Sequence, residues 1–248
     1  MSKTPGADIE ILYQDEYVLA VNKPAGLTVV PLRTGKEPCL KEILAQRFAR
    51  EVFAVHRLDR ETTGVVIFAF DAQSHRHLSM QFQNRRVRKI YWALVRGRPD
   101  PPTGVIRLPL ARDKTPIRMI VVRKGGKRSR TDYGLLQAFR GFSLVEARPK
   151  TGRMHQVRVH LAAIGTPLAV DPLYGMTEGF YLSQIKPNYK HKKDVEERPL
   201  ISRLTLHARE LTLSHPVSEA RLSIQAPLPR DFALVLKQLA KHALSDAR

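Results

Sequence analysis

Hydrophobic and polar positions along the chain change period several times, and each change predicts an element. Ile9–Tyr13 and Tyr17–Asn22 have strand-like patterning, with a tight turn at Gln14–Glu16. Lys23-Pro24-Ala25-Gly26 stops the second strand, since Pro lacks a donor and Gly permits positive φ. Leu40, Ile43, Leu44 and Phe48 share one face of a helix over Leu40–Ala49. Val65–Phe70 is a short apolar run, as in a buried strand, and Ala72–Asn84 reads as a helix. Ile90–Val95 and segments near Gly104–Leu110, Ile117–Val122, Ser129–Leu136 and Phe142–Pro149 read as strands. Gly152–Ile164 is predicted as a helix stopped by Gly165 and Pro167. Tyr181–Arg198 is polar and reads as a surface loop. Strands near Leu204–Leu213 and Ala220–Gln225 and a helix over Phe232–Leu244 complete the pattern. Strands outnumber helices and do not alternate with them. The expected fold class is therefore α+β: a mixed, largely antiparallel sheet with flanking helices, not a doubly wound parallel sheet. No linker separates two domains, so a single domain over residues 1–248 is expected, with flexible ends at 1–8 and 245–248.

Composition narrows the class. The 248 residues are 43% hydrophobic and 26% charged, which suits a folded soluble protein. No apolar run approaches the roughly 18–20 residues that cross a bilayer, and the polar start does not read as a secretory leader. A single cysteine, Cys39, excludes an internal disulfide and any multi-cysteine zinc site, and suggests a reducing cytoplasm. Charge says most. The net charge is +19, and Arg85–Arg130 carries fifteen Lys and Arg against Asp100 and Asp113, a net of +13. Such clustering points to a polyanion. These cations alternate with strand-like apolar residues and lie on no amphipathic helix, which favours nucleic acid over a membrane surface.

Familiar phosphate loops, dinucleotide fingerprints and His-Glu-x-x-His metal motifs are absent, and the nine histidines have no metal-ligand spacing. Cys39 beside Pro38 reads as a small apolar filler more readily than as a reactive thiol. Three segments stand out. His56-Arg57-Leu58-Asp59-Arg60-Glu61-Thr62-Thr63-Gly64 is a polar loop feeding the buried strand, a rigid mount for an active group. Arginines on both sides of Asp59 favour its ionised form. On these residues alone, turn hydrogen bonds or surface ion pairs are the more ordinary explanation. In Lys150–Leu161, with Met154 at 0° and about 100° per residue, Val157, Leu161 and Ile164 form an apolar stripe that contains Arg158. A core-directed arginine needs an anion, and Asp59 is a candidate, although Arg158 could also reach solvent past a shallow stripe. In Arg88–Val95, alternation puts Lys89, Tyr91, Ala93 and Val95 on one strand face and Ile90, Trp92 and Leu94 on the other. Tyr91 can serve as core packing there or stack on a nucleobase.

Together these segments resemble the RluA-type RNA pseudouridine synthases. His56-Arg57-Leu58-Asp59 through Thr63-Gly64 is similar to the family's catalytic loop. Lys89-x-Tyr91-x-Ala93-x-Val95-x-Gly97 is similar to its tyrosine strand. Lys150-Thr151-Gly152-Arg153 through His155-Gln156-Val157-Arg158-Val159-His160-Leu161 is similar to its third motif, continued by Gly165-x-Pro167-Leu168 and Asp171-Pro172-Leu173-Tyr174-Gly175. Lys23-Pro24-Ala25-Gly26 matches the opening motif, so the resemblance runs from about Ile9 to Ala226. Five ordered motifs at family-like spacing overturn the ordinary explanation of Asp59. Thr63, Met154 and Val170 depart from the family's usual Ser, small polar residue and Gly. An S4 RNA-binding domain, present in many relatives, is not expected here.

The resemblance implies a single catalytic domain that isomerises uridine to pseudouridine in ribosomal or transfer RNA, with no cofactor and no metal. It implies that Asp59 is the catalytic carboxylate, that Arg158 favours its ionised form, and that Tyr91 stacks on the uracil. It also implies a flipped-out target uridine, with Arg57 filling the gap or holding the nucleotide. Arg85, Arg86, Lys89, Arg123, Lys124, Lys127 and Arg128 are the expected RNA contacts, the last four around a hairpin tip at Gly125-Gly126. A cytoplasmic monomer with no obligate protein partner and no membrane contact is expected. The rival is a non-catalytic RNA-binding or ribosome-assembly protein on the same fold. A carboxylate-pair hydrolase finds no second carboxylate in the motifs beyond Glu61.

Overall fold

The computed structural model describes residues 9–32, 37–114, 117–189 and 196–244. The ends expected to be flexible, 1–8 and 245–248, lie outside these residues, as does part of the loop expected over Tyr181–Arg198. In chain order the elements are β1 (Glu10–Gln14), β2 (Val18–Lys23), α1 (Leu40–Phe48), β3 (Phe53–Ala54), β4 (Thr63–Ala69), α2 (Ala72–Gln83), β5 (Arg88–Arg96), β6 (Thr103–Ile106), β7 (Leu110–Arg112), β8 (Met119–Val121), β9 (Thr131–Phe139), β10 (Phe142–Pro149), α3 (Gln156–Ala163), a 3-10 turn at Leu182–Gln184, β11 (Leu206–Ser214), β12 (Arg221–Gln225) and α4 (Arg230–His242). The chain forms two compact units, with the boundary inside β5 between Ile90 and Tyr91.

Unit 1 comprises the described residues up to Ile90 and His207–Pro227. Its strand order is β1-β2-β4-β11, with β12 beyond β11 and β3 also paired to β4. The pairings are antiparallel except β4 with β11, which run parallel at Thr63–His207 and Gly64–Ala208. All seven residues of β4 are buried, as its unbroken apolar run requires of a central strand. Val18, Ala20, Val65, Ile67, Leu78, Leu211 and Ile224 form the core beneath it. Leu40, Ile43 and Leu44 are the buried face of α1. Cys39, at the N-terminus of that helix, is fully buried, and loss of hydration pushes its thiol pKa up, in keeping with a filler role.

Unit 2 comprises Tyr91–Leu206 and the described residues from Leu228 onward. Its strands run β5-β10-β9-β6, all antiparallel, and β7 pairs antiparallel with β8 as a separate hairpin. The alternation read from β5 is present. Ala93 and Val95, with Tyr91 alongside, join one core cluster, and Leu94, with Trp92, joins another. Both faces are therefore covered, the first around Val157 and Leu161 of α3 and the second around Phe232, Val235 and Leu239 of α4.

Two expected elements differ. The strand expected over Gly104–Leu110 ends at Ile106. Leu108 turns its carbonyl to His160 Nε2 at 3.0 Å, and Pro109 has no N–H for a ladder, so pairing resumes only in β7. The helix expected from Gly152 begins at Gln156, because His155 has φ 53°, a left-handed conformation that cannot continue a right-handed helix. Met154, used as the origin of the helical wheel, thus lies outside α3. The bend is held by buried Gln156. Its Oε1 accepts Thr151 Oγ1–H and Arg153 N–H at 2.7 and 3.1 Å, and its Nε2 donates to Arg130 O and Thr131 Oγ1 at 2.9 and 3.0 Å.

The parallel contact of β4 with β11 depends on Gly64. Its φ is +114°, and a Cβ there would lie 2.2 Å from the Ala208 carbonyl oxygen, a backbone atom. Gly64→Ala is expected to destabilise the protein by roughly 3 kcal/mol or more, through left-handed strain plus a forced strand separation. Gly141→Ala has φ +78° and nothing within 4 Å of the added carbon, so it isolates the conformational part at about 1–2 kcal/mol. Urea denaturation of the two variants checks this. Equal losses would remove the steric role of Gly64.

Candidate active site

Asp59 sits in unit 1 on an irregular loop between β3 and β4 and is partly buried. The residues around it are fixed. Leu58 is buried, and Thr62 N–H donates to Asp59 O at 3.1 Å, closing a turn. Arg60 Nε donates to Gly26 O at 2.9 Å. Thr63 Oγ1 is 2.9 Å from His207 Nδ1, so the hydroxyl that the family's usual Ser would supply is retained.

Two further groups hold this loop, neither with an assigned role in the sequence reading. Lys23 is fully buried, and its Nζ donates to the carbonyls of Pro24, Leu27 and Arg60, each at 2.7 Å. The opening motif and the Asp59 loop are thus tied through one ammonium. A lysine ending an apolar strand beside Pro-x-Gly was the visible trace of this. His56 begins the loop. Its ring stacks on Phe82 with centroids 4.7 Å apart, and Nε2 accepts the Ile67 N–H at 3.1 Å. Loss of hydration, then the nearby Lys89 charge, drives its pKa down to about 3, so the imidazole is neutral and acts as an acceptor. Of the expected RNA contacts in this unit, Arg57, Arg85 and Arg86 are exposed and Lys89 is partly buried.

Unit 2 carries Tyr91 and Arg158. Tyr91 is partly buried along the cluster that includes Ala93, Val145 and Val157. Arg158 points into the core, as its place in the apolar stripe implied. It binds Asp171 through two bonds, Nε to Oδ2 and Nη2 to Oδ1, both 2.8 Å, with both residues buried. Asp171 Oδ1 also accepts the N–H groups of Leu173 and Tyr174 at 2.9 and 3.2 Å. A forked guanidinium on a carboxylate that is also bonded to backbone N–H groups is the arrangement that lets such a charge pair be buried. Sequence reasoning quoted Asp171 in a motif without assigning it this role. An acid directly after the apolar run Leu168-Ala169-Val170 was the available sign.

Arg123, Lys124, Lys127 and Arg128 are all exposed. The tip at Gly125-Gly126 is not the turn between two paired strands. It follows β8 and returns to the start of β7, where Val122 N–H bonds Pro109 O and Lys127 exchanges two bonds with Leu110 at 2.8 and 3.0 Å. The four cations therefore stand on a closed loop.

Comparison with known proteins agrees with these motifs. The sequence model of the RNA pseudouridylate synthase family matches residues 17–163. An uncharacterized RNA pseudouridine synthase of Chloroflexus aurantiacus is 41% identical over 230 residues, 90% of this chain and 66% of that protein. The ribosomal large subunit pseudouridine synthase D of Pseudomonas aeruginosa is 35% identical over 94% of this chain and 72% of its own length. Among solved structures, human RNA pseudouridylate synthase domain containing 4 superposes with a TM-score of 0.69 at 29% identity, covering 93% of each chain. The chain belongs to the RNA pseudouridylate synthase family. It is accordingly an isomerase that converts uridine in RNA to pseudouridine.

The depressed His56 pKa has a consequence for stability. The unfolded side chain titrates near 6.5 and the folded one near 3, so the folded state holds fewer protons in between. Its stabilising contribution is complete above about pH 6.5 and is lost as pH falls toward 3. From pH 7 to pH 5 the wild type is expected to lose roughly 2 kcal/mol more than His56→Gln, which keeps an acceptor but cannot titrate. Urea denaturation at the two pH values measures this. Equal losses would mean that His56 titrates normally in the fold.

Proposed function

We propose that the chain modifies uridines of ribosomal RNA, with Asp59 as the reacting carboxylate. The observation that carries this reading is the partly buried Asp59 carboxylate on a loop fixed by the buried Lys23 ammonium and the neutral His56 ring. Names of relatives such as the Pseudomonas aeruginosa protein favour ribosomal over transfer RNA. The reaction breaks the bond from uracil N1 to the ribose, turns the base, and joins C5 to the same ribose carbon. The proton leaving C5 is balanced by one gained at N1, so no net redox occurs and the chemistry calls for no cofactor.

Asp59 acts ionised, as nucleophile or base. Arg158 supplies positive charge that favours that form, and Tyr91 stacks on the uracil, with its hydroxyl assisting proton removal from C5. The uridine is reached by flipping it from its stack, and Arg57, exposed on the Asp59 loop, fills the gap. The two compact units serve as one catalytic domain, since the family match spans parts of both. Arg85, Arg86, Lys89 and the four cations of the closed loop hold phosphates. A monomer in the cytoplasm fits this role; among the described residues, no helix is long and apolar enough to cross a membrane.

Asp59→Asn is expected to lower the release of tritium from RNA labelled at uridine C5 by at least about 10³-fold, with RNA affinity changed less than about threefold. Full activity of this variant would leave the non-catalytic RNA-binding reading.

Replacing Arg123, Lys124, Lys127 and Arg128 with Gln is expected to flatten the plot of log K against log salt, by roughly 0.7–0.9 for each phosphate no longer neutralised. The measurement is RNA binding across a salt series. An unchanged slope would mean that other cations hold the phosphates.

A further inference from the structure

The turn that carries Asp171 also reaches the β7–β8 hairpin, through one side chain. Tyr174 Oη accepts the Met119 N–H of β8 at 2.8 Å and lies 2.9 Å from His155 Nδ1. The same ring faces Arg158, whose guanidinium carbon is 5.0 Å from the ring centroid. Arg118, the residue before Met119, faces it at 5.8 Å. The Tyr174 backbone N–H donates to Asp171 Oδ1, the oxygen that also receives Arg158 Nη2. One tyrosine thus touches the hairpin through its oxygen, the arginine through its ring, and the arginine's carboxylate through its amide.

Packing makes this connection stiff. Leu110 and Met119 of the hairpin are buried against Val159 of α3, with Met154 and Tyr174 alongside. The hairpin cannot shift over α3 without breaking the bond from Met119 to Tyr174 or dragging the ring across the guanidinium. The closed cationic loop is clipped to this hairpin at Pro109 and Leu110. A force applied by RNA at the loop therefore has a short bonded route to Arg158. Ring packing alone would need only phenylalanine; the hydroxyl is what engages the hairpin backbone.

We propose that Tyr174 is a positioning residue that couples RNA docking on the β7–β8 hairpin to the orientation of the Arg158 guanidinium. This rests on the pseudouridylation reading above. Docked RNA fixes the hairpin, the hairpin fixes Tyr174, and Tyr174 with Asp171 fixes the plane of Arg158.

The test is a double-mutant cycle read by single-turnover tritium release at saturating RNA. Tyr174→Phe keeps the ring and is expected to slow the rate about tenfold, the scale of one hydrogen bond removed from the transition state, with RNA affinity within about twofold. The fourfold Gln variant of the cationic loop is expected to slow the same saturated rate. Combined, the two should be no slower than the slower single variant by more than about twofold, since the loop's influence passes through Tyr174. Rate factors that multiply, a Tyr174→Phe rate within twofold of wild type, or a loop variant with no effect at saturation would each overturn the coupling. Deuterium exchange on the wild type keeps the test open should Tyr174→Phe misfold. RNA is expected to slow exchange in the peptides covering 119–121 and 171–177 together, and protection of the hairpin alone would overturn the proposal. Failure of the underlying reading is distinct: the wild type itself would then release no tritium.

Discussion

A charged amine with no water around it organises the loop of Asp59. Removing an ammonium from water is prohibitive unless its donors are satisfied, and Lys23 meets that demand with three carbonyl oxygens. The carbonyls come from two separate segments, Pro24 and Leu27 on one side and Arg60 on the other. The electrostatic requirement therefore acts as a geometric one: the opening turn and the Asp59 loop hold the spacing that keeps all three oxygens on one nitrogen. His56 adds a second point of attachment, and loss of hydration with the nearby Lys89 charge keeps its ring neutral.

Unit 2 applies the same logic with the charges arranged differently. Arg158 is carried into the core by the apolar stripe of α3 and stabilised there by the Asp171 fork. Asp171 in turn depends on a tight turn whose backbone N–H groups face its carboxylate. In each unit a buried cation makes a loop rigid, and in each the cation lies within the residues that match the family model. Rigidity of this kind suits a reaction whose catalyst must be aimed before the substrate arrives, since a small misplacement of a reacting group is expensive in rate.

The legible parts of the chain were those governed by local pattern. Period-two alternation in β5 named both of its faces, and the apolar run of β4 announced a strand buried on both sides. The apolar stripe containing Arg158 directed that side chain to the core, where it is buried, and the polar run around Asp59 forms the loop ahead of the buried strand. The illegible parts depended on partners distant in sequence. Nothing local says that Lys23 will meet the carbonyl of Arg60, or that Gln156 will gather groups from 130–131 as well as from 151–153 and delay the start of α3. The break between β6 and β7 depends on His160, some fifty positions further along the chain. Helical periodicity across Gly152–His155 was real as a pattern, but a buried hydrogen-bond network outweighed propensity there.

In the closed basic loop, charge and shape are carried by different residues. The side chains of Arg123, Lys124, Lys127 and Arg128 point outward, and the loop's closure comes from backbone bonds at Val122 and Lys127. Gly126 sits where a Cβ would press on the Val122 side chain at 2.4 Å and approach Pro109 at 3.1 Å. Exchanging the exposed cations therefore leaves the bonds that close the loop untouched, whereas a side chain at position 126 would press on the residues those bonds join. The charge of the loop can thus be changed separately from its shape.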